Sequence, residues 1–214
     1  MEKLHNNEPT SKIGFCLVES FWRLAQDHNF GKITVKMVVS EAGCSRGSFY
    51  YHFTDINHLA CAALKNELIL SGAIPRVLLG IIANDSEMTD LSDNGLHMRR
   101  VKLAVQQWPV DIFFEAFASS NLAIWQYLLS KDADSFTDET LTILDFLTAG
   151  MSSFVRPQLQ STSEDGTRCA TSAYLREVFN TIAQQTCEAQ DTPLEQFHER
   201  LNNLRAMGWV PAAV

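Results

Sequence analysis

The sequence predicts an all-α protein in which a small three-helix unit precedes a larger helical domain, with about nine or ten helices in total. Apolar residues recur at spacings of three and four along most of the chain, which is the pattern of amphipathic helices. No Val-, Ile- and Thr-rich alternation is long enough to indicate a strand. Of the 214 residues, 46% are apolar, which is ample for a packed core. The predicted units are residues 1–54 and 55–214.

The first predicted helix runs from about Thr10 to His28, after a polar segment, 1–9, that we expect to be a loose arm. Its apolar residues have the spacing of one helical face, and they are Ile13, Leu17, Phe21 and Leu24. We expect this helix to pack beneath the next two as a three-helix unit.

Two short helices separated by a tight turn are predicted between residues 33 and 59. Thr34 is a suitable N-cap for the first, because its hydroxyl can accept from an otherwise unpaired backbone N–H. Gly43 suits a left-handed residue at the end of this helix. Ser45 can then cap the second helix, which therefore begins almost at once.

The second of these helices has a buried face and a polar exposed face. Phe49 and Phe53 lie four residues apart, so they should share the buried side. The other faces carry Arg46, Ser48, Tyr50, Tyr51 and His52. Gly47 weakens the helix by roughly 1 kcal/mol relative to alanine. Such a helix is typical of a helix–turn–helix motif, whose second helix enters the DNA major groove, although the spacing alone also permits a plain αα-corner.

The segment from Thr34 to Leu59 resembles the DNA-binding signature of the TetR (tetracycline-repressor) family of transcriptional regulators. The match spans about 26 residues and includes Ala42-Gly43-Cys44-Ser45, Gly47-Ser48-Phe49-Tyr50 and His52-Phe53. Three positions depart from the signature. Ser40 stands where a small alanine is usual. Cys44 replaces an apolar residue, and Ile56 stands where the family usually has a lysine that helps to hold the DNA backbone.

The resemblance implies a sequence-specific transcriptional regulator, most simply a ligand-responsive repressor that binds a palindromic operator as a homodimer. The residues predicted to meet the major groove are Ser45, Arg46, Gly47 and Ser48. Among them, Arg46 can form two hydrogen bonds with guanine. The residues predicted to bind phosphates are Thr34, Lys36, Tyr50 and His52, whereas Tyr51 suits either role.

The charge distribution leaves two other classes of function open. Lys and Arg number 7 against 6 Asp and Glu in residues 1–66, a net +1, and 10 against 19 in residues 67–214, a net −9. A DNA-binding unit with so little positive charge must rely on neutral donors. The total of −8, together with Ile56, also suits a helical protein–protein adaptor that has lost DNA binding. The other alternative is a small-molecule-binding or enzymatic helical protein.

The rest of the chain predicts further helices. Thr54 or Asp55 can cap a helix that reaches about residue 72, and Pro75 suits the first position of another that ends near Ile82. In the TetR family the first of these helices joins the two domains and moves when a ligand binds. Polar stretches at 84–95 and 161–166 are predicted loops. Further helices are predicted at about 96–107, 110–130, 137–159 and 167–189, and a last one follows a capping box at Thr192-Pro193-Leu194-Glu195.

Large apolar residues are concentrated between positions 108 and 128. They suit a cavity for a small apolar or aromatic effector, but they also suit an ordinary core, and the sequence does not separate these interpretations. The candidate pocket residues are Trp108, Phe113, Phe114, Phe117, Trp125 and Tyr127.

The predicted helices at 137–159 and 167–189 both carry broad apolar surfaces. TetR-like proteins dimerise by packing two such helices against their two-fold mates, and a symmetric dimer suits a palindromic operator. Packing within one chain is the alternative. The candidate interface residues are Leu144, Leu147, Met151, Leu175, Val178, Phe179 and Ile182.

Nothing in the sequence predicts an enzyme, a cofactor or a metal site. The common nucleophile, phosphate-binding, dinucleotide-binding and zinc-protease motifs are absent, and the six histidines are scattered. The five cysteines include no closely spaced pair, which indicates a reducing, cytoplasmic setting. The polar start of the chain and the lack of an apolar run of ~20 residues predict neither a signal peptide nor a membrane span.

Overall fold

The computed structural model describes residues 11–83, 91, 95–160 and 173–207. Within these ranges the chain forms ten α-helices and two short 3-10 turns, with no strand, so the all-α prediction is confirmed. The helices are α1 (Lys12–Asp27), α2 (Val35–Ala42), α3 (Arg46–His52), α4 (Ile56–Leu70), α5 (Ala73–Ala83), α6 (Leu96–Gln107), α7 (Val110–Leu129), α8 (Asp138–Gln160), α9 (Ala173–Ala189) and α10 (Leu194–Met207).

Several sequence predictions fall outside the described residues. These are the arm at 1–9, most of the loop at 84–95, the loop at 161–166 and the first part, 167–172, of the helix predicted at 167–189. The part of that helix that the structure describes is α9, and it ends at Ala189, as predicted.

The first helix is capped by Ser11, whose hydroxyl accepts a hydrogen bond from the Gly14 N–H at 3.0 Å. Leu17 and Phe21 of the predicted face are fully buried, whereas Ile13 is exposed and the buried residue of the first turn is Gly14. Helix α1 packs on α2, α3 and α4 and so forms the base of the N-terminal unit.

Helix α4 is shared by the two parts of the molecule, because it packs on α1 as well as on α6 and α7. Of the two predicted caps, Asp55 is the one used, since its carboxylate accepts from the His58 N–H at 2.8 Å. Leu59, Leu64 and Leu68 on α4 are fully buried. This helix therefore connects the N-terminal unit to the core of the larger domain.

Two helix starts differ from the predictions. Helix α5 begins at Ala73, so Pro75 is its third residue and not its first. Proline is tolerated there because the first four N–H groups of a helix have no partner within the helix. Helix α10 begins at Leu194, directly after Pro193, and the Thr192 hydroxyl donates to the Gln190 carbonyl at 3.4 Å instead of forming the predicted capping box.

The core of the larger domain is built around α7, which packs on α4, α8 and α10. Phe117, Ile124 and Leu128 are fully buried along this helix. Trp125 packs against Phe179 of α9 and Phe197 of α10, with ring centroids 6.0 and 5.6 Å apart. Among the described helices, none has the length and apolar character needed to cross a bilayer.

Candidate nucleic-acid interface

Three local interactions fix the turn between α2 and α3, and all three were predicted from the sequence. The Thr34 hydroxyl accepts from the Met37 N–H at 3.3 Å at the start of α2. Gly43 ends α2 with a φ of 63°, a left-handed conformation that costs glycine little. The Ser45 hydroxyl accepts from the Ser48 N–H at 3.0 Å and caps α3.

Two phenylalanine side chains hold α3 against the rest of the unit. Phe49 and Phe53 are buried, as predicted, and their ring centroids are 5.9 Å apart. A helix of seven residues is too short to be stable alone, so this buried face decides its orientation. The opposite face is consequently turned outward.

The outward face of α3 carries the predicted hydrogen-bonding side chains. Tyr50 and Tyr51 are 58% and 84% exposed, and Arg46 is also exposed. The residues predicted to contact DNA lie either on α3 or at the N-terminal ends of α2 and α3, and they are Thr34, Lys36, Ser45, Arg46, Gly47, Ser48, Tyr50, Tyr51 and His52. Ser48 and His52 are half-buried, and the others are exposed.

Gly47 is not required by the protein's own packing. A Cβ placed there would meet only the Ser45 hydroxyl oxygen, at an ordinary contact distance of 3.5 Å. Glycine inside a helix costs roughly 1 kcal/mol relative to alanine. A glycine on an exposed helix face is explained if another molecule approaches the helix backbone closely, because a side chain would then be in the way.

The structure adds Ser11 to this surface, which sequence reasoning had missed. Its hydroxyl oxygen lies 3.0 Å from His52 Nε2, so the cap of α1 is hydrogen-bonded to the last residue of α3. The two residues are 41 positions apart, and helical periodicity does not pair such positions. Because Nε2 of His52 takes part in this hydrogen bond, Nδ1 is the ring nitrogen that is suited to bind a phosphate.

Two further residues of the motif have structural roles. Ile56 stands where the family that the motif resembles usually has a lysine, and it is half-buried and packs against the core. Burial raises the pKa of the half-buried Cys44 thiol, and the nearby Cys16 raises it further. The raised pKa favours the neutral thiol, which suits a small apolar filler in the turn.

The predicted pocket residues are divided among three places. Trp108 packs against α1, where its ring stacks on Trp22 with centroids 4.9 Å apart. Phe113, Phe117 and Trp125 are buried in the core of the larger domain. Phe114 and Tyr127 are exposed on α7. Trp108 is therefore part of the contact between α1 and the larger domain and lies apart from the other candidates.

Three of the seven candidate dimer residues face inward. Leu144, Met151 and Phe179 are buried within the chain itself, so they are core residues and are not available to a second copy. The half-buried members of the predicted set are Leu147, Leu175, Val178 and Ile182. The apolar side chains that α8 and α9 do expose are Leu141, Phe146, Phe154 and Tyr174.

One comparison with known proteins falls on the helix–turn–helix. The profile of a family described as bacterial regulatory proteins, tetR family, matches residues 17–63, which contain the whole of α2 and α3. No curated protein sequence matches the chain. Among solved structures, the chain is similar to a candidate transcriptional regulator from Pseudomonas aeruginosa PAO1, with 15% identity, 91% of each chain covered and a TM-score of 0.28.

Proposed function

We propose that this chain is a DNA-binding transcriptional regulator of the TetR family, whose profile matches residues 17–63, and that it is a ligand-responsive repressor that binds a palindromic operator as a homodimer. The observation that carries the proposal is α3, which buries Phe49 and Phe53 and turns its hydrogen-bonding side chains outward. We divide the chain into a DNA-binding domain, 1–54, and an effector-binding and dimerisation domain, 55–214.

The DNA contacts follow from the position of each side chain on α3. Arg46 is the first residue of the helix, and in a helix–turn–helix the N-terminal residues of the second helix read base edges. Its planar guanidinium can donate two parallel hydrogen bonds to the O6 and N7 atoms of guanine. Thr34 and Lys36, at the start of α2, are placed to bind phosphates, as are Tyr50 and His52. These contacts position the protein without reading sequence.

The dimer surface that we propose is the outward face of α8. Its exposed residues recur at helical spacing between Leu141 and Pro157, and Asp145 is the one charged side chain among those exposed from 141 to 157. Phe146 is 76% exposed. At the centre of the face, a Cβ added at Gly150 would meet open space, because apart from its chain neighbours and the adjacent helix backbone no atom lies within 4 Å. A second copy that packs closely on this face explains both the exposed phenylalanine and the helical glycine.

Among the buried polar atoms of the described larger domain that have no hydrogen-bond partner, three lie on α7 and α9. They are Asn121 Oδ1 and Trp125 Nε1, one turn apart on α7, and Thr186 Oγ1 on α9. Buried polar atoms are nearly always paired, so each such group needs an explanation. We propose that the effector has an apolar or aromatic body and offers both a hydrogen-bond donor and an acceptor to these atoms.

Replacing Thr186 with valine, which has the same shape, is expected to raise the free energy of unfolding by about 1 kcal/mol, because it removes an unpaired buried hydroxyl. The matched control is Thr140→Val. Thr140 is equally buried, but its hydroxyl accepts from Gln190 Nε2 at 2.8 Å. That change is expected to lower the free energy of unfolding by about 1 kcal/mol or more. Equal losses in urea unfolding curves would mean that the Thr186 hydroxyl is satisfied in solution.

Selection of binding sites from a randomised duplex pool tests the proposed function. A palindromic site is expected for the wild-type protein. Arg46→Ala should weaken binding to that site by about 5- to 150-fold, which corresponds to the roughly 1–3 kcal/mol of one bidentate base contact, and should relax the preference at one base pair. Lys36→Ala is the control, since loss of a phosphate contact weakens binding to all duplexes alike.

The outcomes of the selection test the role of Arg46 and separate a DNA-binding regulator from the adaptor. Equal losses for specific and nonspecific duplexes in Arg46→Ala would reduce this residue to a phosphate contact. A wild-type protein that shows no salt-dependent affinity for any duplex would support the adaptor class, because contacts with phosphates make binding fall with salt.

A further inference from the structure

Arg100 joins three helices through a partly buried cluster of charges. Its two terminal nitrogens donate to both carboxylate oxygens of Glu19 on α1, at 2.9 and 2.7 Å. One of them also donates to Glu67 Oε1 on α4 at 2.8 Å. The second oxygen of Glu67 accepts from His97 Nδ1 at 2.7 Å, and the Glu67 side chain is only 3% exposed. We call these four residues the Arg100 cluster.

Aromatic rings lie beside the Arg100 cluster and also join α1 to α6. The Arg100 guanidinium carbon lies 5.3 Å from the centre of the Trp22 ring, within the range of a cation–π interaction. Trp22 on α1 stacks in turn on Trp108, which directly follows α6, with 25° between the ring planes. The contact between α1 and α6 thus combines an ion pair, a cation–π contact and a ring stack.

The charges of the cluster stabilise one another. The hydrogen bond from Arg100 lowers the pKa of the Glu19 carboxyl, and the same bond raises the pKa of the guanidinium. A buried ion pair adds little net stability, because desolvation offsets most of its attraction. A two-bond contact between a guanidinium and a carboxylate does, however, impose a defined geometry. The cluster is therefore suited to setting the position of α1 on the larger domain.

The position of α1 determines that of α3. Ser11, at the start of α1, is hydrogen-bonded to His52, at the end of α3. Helix α3 also packs on α1 directly. A change in the angle between α1 and α6 would consequently move the outward face of α3, whereas the internal structure of the three-helix unit would be kept.

We propose that Arg100 is a positioning residue for DNA binding, which fixes α1 to α4 and α6 so that α3 is held at the angle needed for the operator. The inference rests on the proposed function, because it assumes a symmetric dimer whose two copies of α3 enter successive major grooves about 34–36 Å apart. It goes beyond that function by assigning the link between the two domains to one guanidinium and two carboxylates.

A double-mutant cycle tests the proposal with variants that keep the cluster close to neutral. Glu19→Gln removes one carboxylate while Arg100 keeps Glu67, and Arg100→Lys keeps the positive charge but loses the two-bond geometry. On the duplex selected by the wild-type protein, each single variant is expected to lose affinity by on the order of 10-fold. The double variant should lose about the same 10-fold and not 100-fold, because both changes break one interaction.

The matched control uses the ion pair between Arg23 and Glu41, which are 2.8 Å apart and both exposed. This pair joins α1 to α2 inside the three-helix unit and does not reach the larger domain. Glu41→Gln should change operator affinity by less than about 2-fold. Equal effects of Glu19→Gln and Glu41→Gln would overturn the proposal.

Amide hydrogen exchange provides a second test that needs no DNA. In Glu19→Gln, peptides from α1 and α6 should exchange faster, whereas those from α9 and α10 should be unchanged, because the contact is loosened locally. Unchanged exchange in all helices, or a uniform increase that reflects lower global stability, would refute the positioning role. If the wild-type protein selects no duplex, the proposed function fails, and the exchange experiment still decides whether the Arg100 cluster holds α1.

Discussion

Replacing Phe49 with alanine is expected to lower the free energy of unfolding by about 3–5 kcal/mol, which is typical of a phenylalanine removed from a core. The Phe49 ring is fully buried and lies 5.9 Å from that of Phe53, so its loss leaves a cavity under α3. A domain has only about 5–15 kcal/mol of stability in total, so the variant should show a large fall in the urea midpoint.

Tyr50→Ala is the matched control for this experiment. Tyr50 is the next residue on the same helix and also loses a large ring, but it is 58% exposed. Its replacement should change the free energy of unfolding by about 0.5 kcal/mol or less, as for most surface substitutions. It should nevertheless weaken DNA binding, because Tyr50 is a predicted phosphate contact. Similar stability losses in the two variants would show that α3 has a different orientation.

The helix–turn–helix was predictable because its determinants are local. A cap is satisfied by a backbone N–H three residues away, as Thr34 and Ser45 show, and a left-handed helix end needs only a glycine such as Gly43. Competing contacts from elsewhere in the chain do not alter these choices. For this reason the predicted caps of α2 and α3 and the buried face of α3 agree with the structure.

The contacts between domains were not predictable from periodicity. Arg100 binds a carboxylate 81 positions earlier in the chain, and a single sequence gives no signal for a pair at that distance. The same limit applies to Trp108, for which the sequence left an effector pocket and an ordinary core as alternatives. In the structure it packs against Trp22, which lies on another helix.

Helix α8 shows a second limit, since apolar residues occupy two of its faces. Leu144, Met151 and Val155 face the core, whereas Phe146 and Phe154 face outward. Periodicity identifies both sets as apolar, but it does not state which one the chain itself will cover. Two of the three dimer residues predicted on α8, Leu144 and Met151, therefore lie in the core of the chain itself.

Gly150 offers the most direct test of the outward face of α8. Arginine at this position has better helix propensity than glycine, and the protein has open space for a Cβ there. Gly150→Arg should therefore fold with equal or greater stability as a single chain. It should also be monomeric, because it places a charged side chain at the centre of the proposed interface.

Loss of the dimer should have a large effect on DNA binding. Two linked binding sites gain roughly 10²–10⁴-fold over one, and a monomer forfeits that gain. Operator affinity is therefore expected to fall by about 100-fold or more, and light scattering should give half the wild-type mass. Gln106→Arg, which adds the same charge on the exposed side of α6, should leave both measurements unchanged.

A Gly150→Arg variant that stays dimeric with full operator affinity would exclude this face of α8. Gly150 would then lower the stability of α8 with no contact to another molecule that explains it. The same would hold for Gly47 if α3 did not contact DNA. These two helical glycines lie on the two surfaces that we assign to other molecules, and in each case the protein's own packing leaves room for a side chain. Measuring both substitutions thus tests one physical argument on two surfaces. Gly47→Ala should stabilise the folded chain and weaken operator binding. Gly150→Arg should stabilise the folded chain and abolish the dimer.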